Sequence, residues 1–365
     1  MQKAFELAKR GEGFTSPNPC VGAVIVKNGK IIGEGCHKKA GGDHAEIVAF
    51  KSATASVRGA DLYVTLEPCC HVGKTGPCTD AIVKFGIKKV FIGMKDPFAE
   101  VNGQGIKILE KNGILVESLD PGNELALNIR KINQPFLKSI ECGLPYLTLK
   151  AGMSLDGKIA TYSRESKWIT GDKSREDAYV ERGKYDAIVV GSGTVSSDDP
   201  ELKNHGLYKG KKILRVVINE KLDLGLKYKT FADESVLVVC TDNVAEKNKN
   251  RFRKAGVEFK SFGRKNVSVE KLLKFLAGRG VQSVLVEGGS HTHGMFYDAA
   301  LRNKKLLDKV MFYIAPKIIG GEKALSVIGG VGIKKLSEAK DALEIEIEAG
   351  KTGKDVKYSA VFNRY

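Results

Sequence analysis

The chain has 365 residues, 42% of them apolar and 28% charged, which is typical of folded globular domains and excludes a largely disordered protein. This length exceeds what one ordinary hydrophobic core supports, so we expect two domains. The net charge of +16 comes from scattered lysines without interleaved aromatic residues, which favours solvated lysine-rich faces over a nucleic-acid partner.

No apolar run reaches 18 residues, and residues 4–10 form an amphipathic pattern without a signal-peptide core, so we expect neither a membrane span nor membrane binding. The seven cysteines are odd in number and lack the spacing of a disulfide framework, which indicates a reducing compartment. Both observations predict a cytoplasmic protein.

The first part of the chain alternates strand and helix patterns. After the helix at 4–10, a hairpin is predicted at 21–26 and 31–35, because Asn28-Gly29 between apolar runs favours a type I′ turn. The remaining predicted helices are 44–50, the one that begins at Cys78, 105–112 and 124–140, and the strands are 62–66, 89–93 and 114–116. This alternation predicts a three-layer α/β sandwich over residues 1–143.

A second α/β domain with a largely parallel sheet is predicted for residues 144–365. Its predicted strands are 146–151, 187–190, 213–218, 235–239, 283–286 and 309–314, and its predicted helices include 174–182, 245–255 and 291–300.

The first domain contains a constellation typical of a catalytic zinc site. His44 and Glu46 are followed by Cys69 and Cys78, which supplies one imidazole, two thiolates and a free carboxylate. His44, Cys69 and Cys78 are the predicted zinc ligands. Glu46 lies too close to His44 to share the ion comfortably and is the predicted general acid/base.

Other interpretations of these residues stay open. Cys69 and Cys78 could be buried thiols and His44 a core histidine. The zinc site could also be structural, with Cys70 or His71 as a fourth ligand. The eight residues between Cys69 and Cys78 must loop out, and they place His71 and Lys74 where they could hold a polar or anionic part of a substrate.

The second domain carries weaker signals. Glu287-Gly288-Gly289-Ser290 follows an apolar strand and precedes a helix, a pattern that suits phosphate binding but is more often only a tight turn. Trp168, the one tryptophan, lies among polar residues and could cover a cofactor ring, although a lone tryptophan is normally a core anchor.

Taken together, several segments closely resemble the bifunctional riboflavin-biosynthesis deaminase/reductase family. They are 15–22, His44-Ala45-Glu46, 67–78, Ser154-Leu155-Asp156-Gly157, 165–170 and Asp198-Asp199-Pro200. The resemblance implies a cytidine-deaminase-like first domain and a second domain like dihydrofolate reductase. It implies zinc-dependent removal of the ring amino group of 2,5-diamino-6-(5-phosphoribosylamino)pyrimidin-4-one, followed by NADPH-dependent reduction of the ribosyl group to ribityl.

The resemblance also implies roles for individual residues. Asn18, His37, His71 and Lys74 would hold the small phosphorylated pyrimidine of the deaminase. The reductase substrate would meet Ser166, Arg182, Leu202, Glu287 and, at the position of the family's phosphate-binding arginine, His205. NADPH would meet Gly152, Trp168, Thr194, Asp198, Gly289, Ser290, His291, Thr292, His293, Gly294 and Met295.

Lys150 is the candidate catalytic group of the reductase, because its strand points into the expected cleft. We also expect a homo-oligomer, either a dimer or a tetramer.

Three departures from the family pattern bear on these expectations. Asp43 stands where the family has proline, and His205 replaces the expected arginine, which puts that phosphate contact in doubt. His291 and His293 could form a further metal site, but we favour a polar helix start.

Two other functions remain open. A tRNA-editing or nucleoside deaminase would explain the charge, but the long Cys69-to-Cys78 loop argues against it. A regulatory binding protein with a structural zinc would not need Glu46.

Overall fold

The computed structural model describes residues 1–71 and 76–365. The chain forms two compact units, the first comprising Met1–Gly143 together with Tyr365, and the second comprising Leu144–Arg364. Among the described residues, no helix is long and apolar enough to cross a membrane.

The described residues of the first unit form five strands and six helices. The strands are β1 (Gly22–Lys27), β2 (Lys30–Cys36), β3 (Asp61–Leu66), β4 (Lys89–Met94) and β5 (Leu115–Ser118). The helices are α1 (Gln2–Lys9), α2 (Ala45–Lys51), α3 (Cys78–Phe85), α4 (Gln104–Lys111), α5 (Glu124–Ile132) and α6 (Gln134–Cys142).

The five strands form one sheet in the order β2-β1-β3-β4-β5. The hairpin closes through Asn28 and Gly29 at φ of 51° and 73°, the left-handed pair that a type I′ turn requires. Helices α2, α3 and α4 pack on one face of the sheet and α1, α5 and α6 on the other. The predicted three-layer sandwich is confirmed.

The helix predicted at 124–140 is interrupted. It divides into α5 and α6 at Asn133, whose φ and ψ of −103° and 7° leave the helical region, and Pro135 follows in the first turn of α6. The Asn133 side chain accepts a hydrogen bond from the Cys20 backbone N–H at 2.7 Å and donates to the Cys20 carbonyl at 3.2 Å. The break therefore joins the end of the first unit to the loop that carries Asn18.

The second unit contains eleven strands and five helices. The strands are β6 (Tyr146–Ser154), β7 (Lys158–Ala160), β8 (Ala187–Gly191), β9 (Leu214–Ile218), β10 (Val236–Cys240), β11 (Glu258–Ser261), β12 (Ser283–Val286), β13 (Lys309–Ala315), β14 (Leu325–Ser326), β15 (Glu344–Gly350) and β16 (Gly353–Val361). The helices are α7 (Asp172–Gly183), α8 (Ser192–Asp198), α9 (Glu246–Lys254), α10 (Val269–Gly278) and α11 (Ser290–Arg302).

Nine of these strands form a sheet in the order β11-β10-β9-β8-β12-β6-β13-β16-β15. Its pairings are parallel from β11 to β13, whereas β13–β16 and β16–β15 are antiparallel. The largely parallel sheet is confirmed. The carboxyl ends of β8 and β12 lead directly into α8 and α11, the junctions at which α/β folds place ligands.

Candidate active sites

The predicted zinc ligands lie together in the first unit. The Nδ1 atom of His44 is 3.3 Å from the Sγ atom of Cys78 and 3.5 Å from that of Cys69. The three ligand atoms all lie within 4.8 Å of one another. One imidazole and two thiolates at this spacing fit a zinc ion that keeps a position open for water.

Two helix starts and one close packing contact bring these ligands together. His44 is the N-cap residue of α2 and Cys78 is the first residue of α3. A Cβ atom on Gly35 of β2 would lie 2.1 Å from the Ala45 carbonyl oxygen, so only glycine lets α2 approach the sheet this closely. The start of α2, and with it His44, is set by this contact.

Glu46 follows in the first turn of α2 and is buried, with 4% of its surface exposed. Burial, reinforced by the neighbouring Cys69 thiolate, raises the pKa of the Glu46 carboxyl to about 7. The neighbouring Cys78 side chain acts in the opposite direction and lowers the pKa of the Glu46 carboxyl. The carboxyl group therefore lies beside the ligand cluster and is sheltered from bulk water.

Asn18 and His37 form a connected pair beside the cluster. The Nδ2 atom of Asn18 is 3.0 Å from Nε2 of His37, and Nδ1 of His37 is 2.9 Å from the backbone carbonyl of Asp43. Because the carbonyl can only accept, Nδ1 carries the proton, and Nε2 accepts from the Asn18 amide. This arrangement leaves the Asn18 oxygen available to a ligand. The Asp43 carboxylate pairs with Lys51 at 2.5 Å.

The structure describes His71 but not Lys74, which lies outside the described residues. The His71 ring is 5.8 Å from the ring of Phe98, and its Nδ1 atom is buried and has no hydrogen-bond partner among residues 1–71 and 76–365. A buried ring nitrogen of this kind suits a contact with a bound molecule.

Sequence reasoning missed two buried carboxyl groups near His71. Asp96 follows β4, and burial raises its pKa to about 6. Glu67 follows β3 and accepts hydrogen bonds from the backbone N–H groups of Asp96, Gly103 and Ile106 at 3.3, 3.0 and 3.3 Å. Both residues come after the carboxyl ends of parallel strands, where α/β folds place functional side chains. That position in the sequence could have indicated them as candidate site residues.

In the second unit, three charged side chains predicted for the reductase meet. Arg182 of α7 donates from Nη2 and Nε to the Glu287 carboxylate at 2.8 and 3.2 Å. Lys150 of β6 places its Nζ atom 3.8 Å from the same carboxylate. The side chains of Lys150, Glu287 and Arg182 are only 15%, 12% and 9% exposed, so this trio is largely shielded from solvent.

Burial alone would raise the pKa of Glu287, but the Arg182 and Lys150 cations hold it at about 2. Burial lowers the pKa of Lys150, against the opposing effect of Glu287. The carboxylate is therefore ionised at neutral pH, and the Lys150 ammonium is poised to give up a proton more readily than an exposed lysine.

The other predicted substrate residues differ in what they offer. His205 is exposed, and its ring centroid lies 4.4 Å from that of Tyr179. The Arg182 guanidinium lies 5.2 Å from the same Tyr179 ring centroid. Ser166 is half-buried. Leu202 is 4% exposed and packs in a core cluster with Ile188 and Val217, so only its backbone is available to a ligand.

Trp168 is 61% exposed, and the Arg175 guanidinium lies 4.2 Å from its ring centroid. The indole is thus not a core anchor, and it is held by a cation on one side. Gly152 of β6 lies close to Thr170, since a Cβ atom there would be 3.0 Å from the threonine methyl. Thr194 is half-buried in α8, and Asp198 pairs with Lys167 at 3.2 Å.

The segment 289–295 forms the start of α11. A Cβ atom on Gly289 would meet nothing within 4 Å, so open space lies over the first turn, where a pyrophosphate could bind backbone N–H groups. Ser290 is buried, His291 is exposed and Met295 is half-buried. Gly294 packs directly against the backbone of Gly329 and Gly330.

Thr292 and His293 of this segment are buried. The ring nitrogens of His293 face the carbonyls of Val327 and Val286 at 2.9 and 3.2 Å. Thr292 fills the space beside Gly191 and Gly288. The His293 ring is therefore held in the fold by these two backbone carbonyls.

Two different protein families match the two units of the chain. Residues 1–94 match the cytidine and deoxycytidylate deaminase zinc-binding region, and residues 145–353 match the RibD C-terminal domain. The riboflavin biosynthesis protein RibD of Bacillus amyloliquefaciens is 40% identical over 365 residues, covering 99% of this chain and 95% of the relative. That of Aquifex aeolicus is 39% identical over 352 residues, covering 95% and 94%.

Solved structures agree. A diaminohydroxyphosphoribosylaminopyrimidine deaminase/5-amino-6-(5-phosphoribosylamino)uracil reductase from Thermotoga maritima superposes with a TM-score of 0.84 at 35% identity, covering 100% of this chain and 97% of that one. RibD of Acinetobacter baumannii, form 2, gives 0.83 at 32%, covering 99% and 97%. The predicted fold class is confirmed, and the chain belongs to the RibD family of bifunctional riboflavin-biosynthesis deaminase/reductases.

Proposed function

We propose that the first unit removes the ring amino group of 2,5-diamino-6-(5-phosphoribosylamino)pyrimidin-4(3H)-one as ammonia, giving the uracil. The observation that supports this is the cluster of His44, Cys69 and Cys78 with the buried Glu46 beside it. Zinc held by these three ligands would supply an activated water, because bound water loses a proton at a pH near 7 rather than about 15.7.

The protein's own side chains then handle protons and orientation. Glu46 takes one proton from the water and passes it to the ring nitrogen, and it then carries the second proton of the water to the departing amine as the ring carbonyl forms. The free Asn18 oxygen accepts from a ring N–H, while His37 holds the Asn18 amide in that orientation. His71 and Lys74 are proposed to meet the remainder of this small phosphorylated substrate.

The test is Glu46→Gln in the full chain. We expect ammonia release to fall by a factor of about 10³ or more, as for loss of a general acid/base. Zinc content should stay near that of the wild type, and reductase activity with the deaminated intermediate should be unchanged. Retained deamination in this variant would exclude the proposed role of Glu46.

For the second unit we propose NADPH-dependent reduction of the deaminated product's ribosyl group to ribityl. NADPH, bound along the open first turn of α11 and beside the exposed Trp168 ring, would supply the hydride. Lys150 gives a proton to the ribose ring oxygen as the bond from that oxygen to the first ribose carbon breaks. The exocyclic nitrogen lone pair forms a C=N bond, and this carbon then accepts the hydride.

Glu287 is placed to hold the Lys150 ammonium in position, and Arg182 keeps Glu287 ionised. His205, at the position of the expected arginine, is proposed to lie near the substrate phosphate. Lys150→Met should abolish NADPH oxidation, followed at 340 nm, while deamination continues. Full reductase activity in Lys150→Met would remove Lys150 from the mechanism.

We further propose that the protein is a cytoplasmic homo-oligomer that binds no nucleic acid. The family membership and the scattered lysines support this. Light scattering would give the oligomeric state, and failure to retain tRNA at moderate salt would agree with the absence of a nucleic-acid role.

A further inference from the structure

Lys150 has a second neighbour besides Glu287. The Nζ atom of Lys150 lies 5.5 Å from the ring centroid of Tyr313, within the range of a cation–π contact. In the parallel pairing of β6 and β13, Met311 is opposite Lys150 and Tyr313 is opposite Gly152. Tyr313 is thus the diagonal neighbour of Lys150 on the same face of the sheet.

The Tyr313 ring is itself fixed. It is 1% exposed, and its hydroxyl donates to Oδ2 of Asp177 at 2.6 Å. Asp177 accepts in turn from Nζ of Lys357 at 2.9 Å, and Lys357 also pairs with Glu181 at 3.0 Å. A half-buried carboxylate that is paired with a lysine therefore holds the tyrosine hydroxyl, and the ring cannot turn without breaking this network.

We propose that Tyr313 is a positioning residue of the reductase, which holds the Lys150 ammonium over its ring and directs it toward the substrate. The inference rests on the proposed role of Lys150. Glu287 holds the ammonium from one side through charge, and the Tyr313 ring supports it from another through its π electrons.

The geometry distinguishes the two neighbours. Glu287 is already engaged by two nitrogen atoms of Arg182 at 2.8 and 3.2 Å, whereas Lys150 remains 3.8 Å away. The Lys150 ammonium is thus not tied to the carboxylate by a short hydrogen bond. Tyr313 supports the cation without taking one of its protons, since an aromatic face offers no strong acceptor, and the protons stay free for the substrate.

The test compares Tyr313→Phe, which keeps the ring but removes its hydroxyl anchor, with Tyr313→Leu, which removes the ring. Tyr358→Phe is the matched control, because Tyr358 lies on β16 opposite Phe312 and so faces the other side of the sheet. Deaminase activity in the same chain reports on integrity, and a thermal scan of each variant shows that it is folded.

We expect reductase kcat to fall about threefold in Tyr313→Phe and about tenfold or more in Tyr313→Leu, with the KM for NADPH unchanged. The ring stabilises the protonated lysine, so the limb of the kcat–pH profile that follows loss of the Lys150 proton should move to lower pH in Tyr313→Leu. The charged or titratable groups around Lys150 are Glu287, Arg182, Asp177, His293 and Tyr313 itself, and the first four are intact in both variants.

An unchanged kcat and pH limb in folded Tyr313→Leu would overturn the inference. So would an effect confined to the KM for NADPH, or an equal loss in Tyr358→Phe. Failure of the proposed catalytic role of Lys150 would give a different result, because Lys150→Met would then keep its reductase activity. If Lys150→Met is inactive but Tyr313→Leu behaves as wild type, only the role of Tyr313 is wrong.

Discussion

Replacing Gly35 with alanine should disable the deaminase and spare the reductase. The added Cβ atom would lie 2.1 Å from the carbonyl oxygen of Ala45 and 2.5 Å from the amide nitrogen of Ala49. Tolerable C···O separations begin at about 3.3 Å, so α2 must move away from β2 by about 1 Å. Both atoms belong to backbone, and no side-chain rotation can relieve the overlap.

The consequence follows from what α2 carries. His44 caps this helix and Glu46 occupies its first turn, so a shift of about 1 Å displaces a zinc ligand and the acid/base together, and a misplacement of this size costs on the order of 10²-fold in rate. Overpacking should also lower the free energy of unfolding by about 1–3 kcal/mol.

The assay measures ammonia release, zinc content and NADPH oxidation on one preparation, together with urea unfolding. Gly278→Ala is the matched control, because a Cβ atom there meets nothing within 4 Å and the residue ends an exposed helix turn. Wild-type deamination and unchanged unfolding in Gly35→Ala would refute the claim that this close approach positions the site.

Three further predictions concern the Arg182–Glu287 ion pair, the Asn133 side chain and the Trp168 indole. Arg182→Met should lower unfolding free energy at neutral pH by about 3 kcal/mol, because it leaves a buried carboxylate without its bidentate partner. Glu287 has a pKa of about 2 when folded against 4.5 ordinarily, so its contribution is complete above pH 4.5 and lost as pH falls toward 2. The difference from wild type in urea unfolding should therefore shrink with acidification, and a constant difference would contradict this. Asn133→Ala should raise the deaminase KM while leaving the reductase KM unchanged, since the Cys20 backbone loses two buried hydrogen bonds worth about 1 kcal/mol each; an unaltered deaminase KM would count against it. Trp168→Ala should leave thermal unfolding unchanged and raise the KM for NADPH several-fold, and an unchanged KM would remove the indole from the cofactor site.

Local patterns account for what the sequence could predict. Apolar periodicity and the Asn28-Gly29 turn are short-range signals, and the strands and helices of the first unit follow them up to Ile132. The alternation of β15, Glu344-Ile345-Glu346-Ile347-Glu348, is also a local signal and was available, although it went unused. The zinc ligands could be found because their residue types are few and their spacing is distinctive.

The rest depends on contacts between distant residues. The helix break at Asn133 serves a backbone partner 113 residues away, and nothing near Asn133 in the sequence names that partner. The Arg182–Glu287 pairing likewise joins residues 105 apart. Sequence resemblance implies that both side chains meet substrate, and the structure adds that they pair with each other beside Lys150.

The two hydrogen bonds between the Asn133 side chain and the Cys20 backbone join parts of the first unit that are far apart in sequence. These bonds close a loop of more than a hundred residues, and long loops close late because the chain must first lose the entropy of the intervening segment. The zinc ligands, in contrast, lie within residues 44–78. The metal site is therefore built from contacts that are closer in sequence than those that join Cys20 to Asn133, and its geometry depends less on the closure of a long loop.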